Sequence, residues 1–352
     1  MNEYPTSWRT LLVGALLAII LLSAWEVHWR KQGDPIAIDE SKGLWASQRA
    51  RLEKLTPDNV VIIGSSRALF NLQLDEFEAE YGRRPVQLAA EGSAPMPVFT
   101  DIVENSQFSG TLIVGVTPVL YYLPFDRSIH PYGRISNWVD HYHKRTLADR
   151  LNFQLSKGPE SVFAFLQATE EGQMTDLDLH TRIENLVGYP EVPRVPGPPE
   201  WPAFAYSSPD RNKTMYSQVW EDPEYAARVT AFWEFVIQPP PNLPPPDVLE
   251  EGRKAIISYS TGLIKKFKAR GGRVIYLRSP STGPFRIAES MGFPRDEYWD
   301  ALLEATGATG YHFEDYEFMS RYTPPEWSHL ATPDARLFTT DLVRQMKADG
   351  NL

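Results

Sequence analysis

Hydrophobic positions along this chain follow two rhythms, and one run at its start follows neither. Residues 60–63 (VVII), 111–118 (TLIVGVTP) and 273–280 (RVIYLRSP) are short apolar blocks without polar alternation. Continuous apolarity over so few residues is expected of strands covered on both faces. Between the blocks, residues 69–81 (LFNLQLDEFEAEY) and 245–272 carry apolar positions at helical spacing and close on Gly82 and Gly272. Residues 38–58 place Leu44, Trp45, Leu52 and Leu55 at roughly helical intervals, and 334–346 predicts a final helix. Residues 85–96 predict a short strand, a turn around Glu91-Gly92-Ser93 and a helix start, and 307–316 a last strand. Strands alternating with helices predict an α/β fold, a three-layer α/β/α sandwich on a mostly parallel, flavodoxin-like sheet.

The alternation lapses over residues 119–245. This stretch is rich in aromatics, with proline clusters at 188–202 (GYPEVPRVPGPPEWP) and 238–246 (QPPPNLPPP). It is too long for a plain loop, so it reads as an insertion, helical around 146–187 and 221–236. Four segments follow: an N-terminal anchor (1–32), the first part of the α/β domain (33–118), the insertion (119–245) and the second part (246–352). Ligands of open α/β sheets bind outside the carboxyl ends of the strands. An insertion leaving the end of the third strand stands where it covers such a site; the prolines equally suit a docking surface.

The run that follows neither rhythm is 11–25, LLVGALLAIILLSAW, uncharged throughout and flanked by Trp8, Arg9, Glu26, Trp29, Arg30 and Lys31. Fifteen residues fall somewhat short of a ~30 Å hydrocarbon core. Interfacial tryptophans and snorkelling arginines make up the difference. A cleaved signal peptide is the rival, but no small-x-small site follows. The expectation is an uncleaved single-pass anchor, with the remaining chain on one side of the membrane.

Composition narrows the rest. A formal charge of −10 argues against general nucleic-acid binding. With no cysteine in the 352 residues, thiol nucleophiles, disulfides and cysteine metal sites are excluded.

Candidate chemistry begins where the first strand ends, at Gly64-Ser65-Ser66-Arg67. The P-loop pattern needs a second glycine and a lysine that are missing here. The serines either cap the next helix or present a nucleophile. A second stretch, 323–338 (TPPEWSHLATPDARLF), sets Glu326 three residues before His329, close enough to turn back and orient the imidazole. Asp140-His141-Tyr142-His143 repeats an acid-x-x-His spacing inside the insertion; it is expected to be a solvated loop, with paired metal-ligating histidines the minor alternative.

In their order, these motifs resemble the blocks of the SGNH/GDSL hydrolase superfamily over about 58–118 and 246–346. The resemblance implies Ser66 as nucleophile, Gly92 as an oxyanion donor, and Glu326 with His329 as the remainder of a triad. The family's Gly-x-Asn stands here as Gly115-Val116-Thr117, leaving the oxyanion role to the Thr117 hydroxyl or to the insertion. Arg67 either attracts an anionic substrate or forms a surface ion pair. A serine before the nucleophile is similar to membrane-anchored envelope acyl-transfer proteins. That likeness implies a bacterial inner-membrane anchor with a periplasmic domain, a glycan substrate, a multipass membrane O-acyltransferase as partner, and neither cofactor nor metal.

Two functions from different classes follow. One is a serine O-acyltransferase or esterase acting on a glycan through an acyl-enzyme. The other is a weakly active or inactive SGNH-like domain that binds glycan or scaffolds an envelope assembly. A plain secreted lipase ranks third, disfavoured by the tether.

Overall fold

A computed structural model describes residues 8–32, 36–166, 204–237 and 244–352. The proline cluster at 188–202, most of that at 238–246, and the helix expected at 146–187 beyond residue 166 lie outside the described residues.

The chain opens with α1 (Trp8–Gln32) and α2 (Lys42–Arg49), then β1 (Val60–Ile63), α3 (Ser66–Asn71), α4 (Leu74–Tyr81) and β2 (Val86–Gln87). Next come α5 (Met96–Asn105), β3 (Thr111–Gly115), α6 (Pro118–Tyr121), α7 (His130–Lys144) and α8 (Leu147–Glu160). A hairpin of β4 (Ala205–Ser207) and β5 (Lys213–Met215) precedes α9 (Gln218–Glu221), α10 (Pro223–Val236) and α11 (Pro246–Ala269). The last elements are β6 (Arg273–Arg278), α12 (Gly283–Gly292), α13 (Ala301–Thr306), β7 (Thr309–His312), α14 (Glu317–Ser320) and α15 (Thr332–Ala348).

Five strands form one parallel sheet in the order β2-β1-β3-β6-β7. The unalternating apolar blocks are explained by burial on both faces. Val61 and Ile63 join a cluster with Trp45, Phe99 and Ile264, whereas Val60 and Ile62 join one with Phe70, Phe338 and Leu342. The insertion is part of this core, since Ile135 and Trp138 of α7 enter the first cluster and Val229 of α10 the second.

Helix α1 is longer than the apolar run. At 25 residues it measures roughly 37 Å, and Trp8–Lys31 is long and apolar enough to cross a membrane.

Two expected elements differ. The predicted helix 38–58 is only Lys42–Arg49, continued by a 3-10 turn over Ala50–Lys54. The predicted helix 69–81 starts earlier, at Ser66, and breaks between Asn71 and Leu74. The polar groups at the break are committed elsewhere. Asn71 Oδ1 accepts from Leu330 N at 3.0 Å, the Asn71 carbonyl accepts from Thr339 Oγ1, and Gln73 N donates to that same hydroxyl at 2.9 Å. Tertiary bonds to α15 and the loop before it replace the helix's own at this point.

The open edge at β2 is closed by the hairpin. Arg211, fully buried, donates to the carbonyls of Gln87 and Ala89 at 3.0 and 2.7 Å and to the buried Glu40. Its backbone sits at φ 68°, which turns the guanidinium inward from a tight bend.

Candidate functional site

The site starts with a crowded crossing at the carboxyl end of the sheet. Gly64 has φ +149°, and a Cβ there would stand 2.7 Å from Ala68 Cβ. A Cβ on Gly115 would meet the same methyl at 2.6 Å. Glycines at the ends of β1 and β3 therefore let α3 press directly on the sheet, and this fixes where Ser65 and Ser66 emerge.

Neither serine caps α3 with its side chain. Ser65 occupies the N-cap position, but its buried hydroxyl bonds Thr117 Oγ1 at 2.5 Å. Thr117, itself buried, thus has its hydroxyl engaged by the first serine. Ser66, the first helical residue, is half-buried, and its hydroxyl has no hydrogen bond among the described residues. The Ser65 carbonyl accepts from Ala68 N and Leu69 N, leaving the Ser66 N–H outside the helix's own bonding.

Opposite α3, Glu326 folds back on His329 as their spacing predicted. Glu326 Oε1 lies 3.1 Å from His329 Nδ1 and accepts from the backbone N–H groups of Ser328 and His329. Trp327 makes this reversal possible with a left-handed backbone, φ 76°, and its indole lies over Gly283, where a Cβ would stand 2.7 Å from the ring. Glu326 and His329 are both fully buried. A carboxylate bonded to Nδ1 fixes the tautomer that leaves Nε2 as an acceptor. Nε2 is buried without a hydrogen-bond partner among the described residues.

Two bonds bring these halves together. Arg67 Nε donates to Ser328 Oγ at 3.1 Å, and Asn71 Oδ1 holds Leu330 N. Each neighbour of His329 is thereby tied to α3, and the imidazole lies 4.5 Å, centroid to centroid, from Phe70. Phe70 stands four residues after Ser66, on the same helical face. The Ser66 hydroxyl and Nε2 are not hydrogen-bonded to each other.

Gly92 sits in the expected turn with φ +52°. That turn is tied to the end of β1 by Ala90 N donating to the Gly64 carbonyl at 3.1 Å. Arg134 and Ser93 both donate to the Glu91 carbonyl, and the buried Lys213 Nζ stands 3.1 Å from Glu91 Oε1.

Arg67 differs from its expected surface pairing. It is buried, 2.6 Å from Glu289 Oε1, while Glu289 Oε2 accepts from Arg278 and Ser281. Burial raises the Glu289 carboxyl, but Arg278 and Arg67 outweigh it and hold the group down to about 2.

Several contributors carried no sequence signal. Trp233 of α10 donates Nε1 to Glu326 Oε2 at 2.5 Å, and its ring, with that of Phe204, packs around His329. Both come from the insertion, which reaches the site as its point of departure suggested. Only Phe70 was findable, by its helical spacing from Ser66.

The Asp140–His143 motif is a correction. It lies in the last turns of α7, not in a loop. Asp140 pairs with Arg127 and Lys144, and His143 Nε2 bonds Asp101 at 2.5 Å. Among the described residues no group of three or more His, Asp or Glu is placed to hold a metal ion.

A groove of about 660 Å³ between the hairpin and the start of α15 is lined by Tyr206, Tyr216, Trp220, Thr214, Thr332 and Arg336, and has none of Ser66, Glu326 and His329 in its lining. Comparison of the chain with protein-family models, with curated proteins and with solved structures returned no match.

Proposed function

We propose that this chain is a membrane-anchored serine O-acyltransferase or esterase of the SGNH/GDSL type, using Ser66, His329 and Glu326 on glycan O-acyl groups. The observation that carries the reading is the buried Glu326–His329 pair with Nε2 unpartnered, tied on both sides to the helix that begins at Ser66. The sheet order, equivalent to 2-1-3-4-5 among the parallel strands, and an apolar cluster on each face support a flavodoxin-like three-layer frame.

In this mechanism His329 Nε2 takes the Ser66 hydroxyl proton as Oγ bonds the acyl carbonyl carbon. The carbonyl π electrons move to oxygen, and the N–H groups of Ser66 and Gly92 stabilise the oxyanion. Collapse breaks the ester C–O bond, and the leaving alkoxide takes the proton from His329. Water or a sugar hydroxyl then attacks the acyl-Ser66 ester by the same route, restoring the serine. Glu326 keeps Nδ1 protonated and stabilises the imidazolium throughout. The aromatic and hydroxyl-lined groove beside Thr332 suits a glycan acceptor, whose C–H faces stack on rings and whose hydroxyls need polar partners.

By the same reading α1 crosses a bacterial inner membrane, the domain is periplasmic, and a multipass membrane O-acyltransferase supplies the acyl group. A non-catalytic glycan-binding or scaffolding role is the second reading. It is favoured by the Ser65–Thr117 bond, which withdraws the hydroxyl nearest to the missing asparagine.

The test is fluorophosphonate labelling of the full chain in detergent, with the adduct mapped by mass spectrometry. Labelling at Ser66 that disappears in Ser66→Ala and His329→Ala is the expected result. No adduct on folded wild-type protein rejects an activated serine in the isolated chain and leaves the scaffolding role.

A further inference from the structure

Helix α8 carries a face that the other described residues do not cover. Leu147, Leu151 and Leu155 follow one another at four-residue intervals and are 67%, 53% and 74% exposed. Thr146 and Asp149 close the N-terminus with a capping box, so the helix is a formed element. No residue of α8 is buried. Its opposite face is the one that meets the domain. Phe153 packs against Gly43 of α2, where a Cβ would stand 2.9 Å from the ring, and Glu160 accepts from Asp39 N at 3.4 Å. At 3.6 residues per turn, Phe153 and Glu160 lie across the helix from the three leucines. Arg150 and Lys157 fall on one flank between the two faces.

The surroundings of α8 identify what covers the leucines. Residues just beyond it are bonded to α1 at one level. Glu26 Oε1 and Oε2 accept from Ala164 N and Phe165 N at 3.0 and 3.3 Å, and Arg30 donates to the Val162 carbonyl at 3.1 Å. Glu26 is the first charged residue after the apolar run 11–25. Residues 162–165 are therefore held where the apolar length of α1 ends, among Trp25 and Trp29, residues typical of a membrane–water interface. Val162, at that same level, is 54% exposed. Helix α8 ends two residues before that level, with its leucine face exposed.

We propose that α8 lies in the interface of the bilayer that α1 crosses, its leucines among the acyl chains and Arg150 and Lys157 at the headgroups. This is the arrangement of interfacial amphipathic helices: an apolar stripe buried a short way into the headgroup boundary, with basic residues beside it. The proposal rests on α1 being a span, and it holds whether or not Ser66 is a nucleophile. It sets the α/β domain against the membrane at a fixed attitude instead of on a free tether.

The chain contains no cysteine, so single cysteines report cleanly. Leu151→Cys, Ser156→Cys and Ile19→Cys, each labelled with an environment-sensitive fluorophore, are placed in the full chain in lipid nanodiscs. Quenching is read with doxyl groups near the headgroup or deep in the acyl chain. The Ile19 label should be quenched by the deep probe and the Leu151 label by the shallow one. The Ser156 label, on the side of α8 away from the leucines, should be quenched several-fold less. A water-exposed Leu151 label with a lipid-buried Ile19 label overturns the proposal and assigns the face to a protein partner. A water-exposed Ile19 label overturns the span itself, and the interface with it.

Discussion

Trp233 Nε1 donates to Glu326 Oε2 at 2.5 Å, while the other oxygen of that carboxylate faces His329 Nδ1 at 3.1 Å. The two residues are 93 positions apart, and the donor belongs to a helix outside the α/β alternation. One face of the buried carboxylate is therefore held by the inserted segment and the other by the imidazole. Trp233 is a positioning residue in this arrangement, since it acts through Glu326. In Trp233→Phe the ring contacts survive and the donor is lost. Fluorophosphonate labelling of Ser66 should slow about tenfold, equivalent to roughly 1.4 kcal/mol in the barrier. Measured on folded protein well below its melting transition, an unchanged rate would reduce Trp233 to packing.

Trp327 bends the chain between Glu326 and His329, and its left-handed backbone costs about 1–3 kcal/mol in a non-glycine residue. Trp327→Gly should keep labelling at Ser66, because glycine adopts that conformation freely. Trp327→Val should abolish it, because a β-branched residue resists positive φ and the carboxylate then swings away from the imidazole. Labelling rates of the two variants, each checked for folding by circular dichroism, decide the matter.

The glycines beneath α3 are separable by rescue. Gly115→Ala meets little besides the Ala68 methyl, so it should destabilise by about 1–3 kcal/mol and recover with Ala68→Gly. Gly64→Ala meets the same methyl but also the Gly115 backbone, at φ +149°. Ala68→Gly should leave most of its loss in place. Urea unfolding of the two pairs of variants measures this directly.

Acid sensitivity should come first from His312, the last residue of β7. Burial and the nearby Arg278, Arg295 and Arg286 push His312 from its ordinary 6.5 down to about 3. The unfolded chain takes up that proton below pH 6.5, whereas the folded chain resists until about pH 3. Stability therefore falls as pH drops through this window, by about 1.4 kcal/mol per unit. Below pH 4.5 Glu289 adds to the loss, since its carboxyl stays ionised in the folded chain down to about 2. His312→Gln should flatten the dependence between pH 6.5 and 4.5 and leave below it only the part due to Glu289. Urea midpoints across that range test both parts, and an unaltered upper slope in the variant would refute the assignment to His312.

Much of the sheet was legible because its strands are buried on both faces, which writes them into the chain as unbroken apolar blocks. Glu326 and His329 were legible because three residues suffice to bring them together. The break in the helix after Asn71 was not, since it depends on Thr339 and Leu330, far along the chain. Trp233, Phe204 and the pairing of Arg67 with Glu289 were hidden for the same reason: no local period marks a residue whose partner comes from another element. The Asp140–His143 motif shows the converse, where a catalytic-looking spacing serves ordinary pairs on a helix.

The bonds that join α3 to the His329 loop link residues about 260 positions apart, Arg67 with Ser328 and Asn71 with Leu330. During synthesis α1 leaves the ribosome before Ser66, and the imidazole of His329 follows the serine only after about 260 further residues. Until that loop emerges, α3 has none of the bonds that seat it against His329, so the surroundings of Ser66 are completed long after the serine itself has been made.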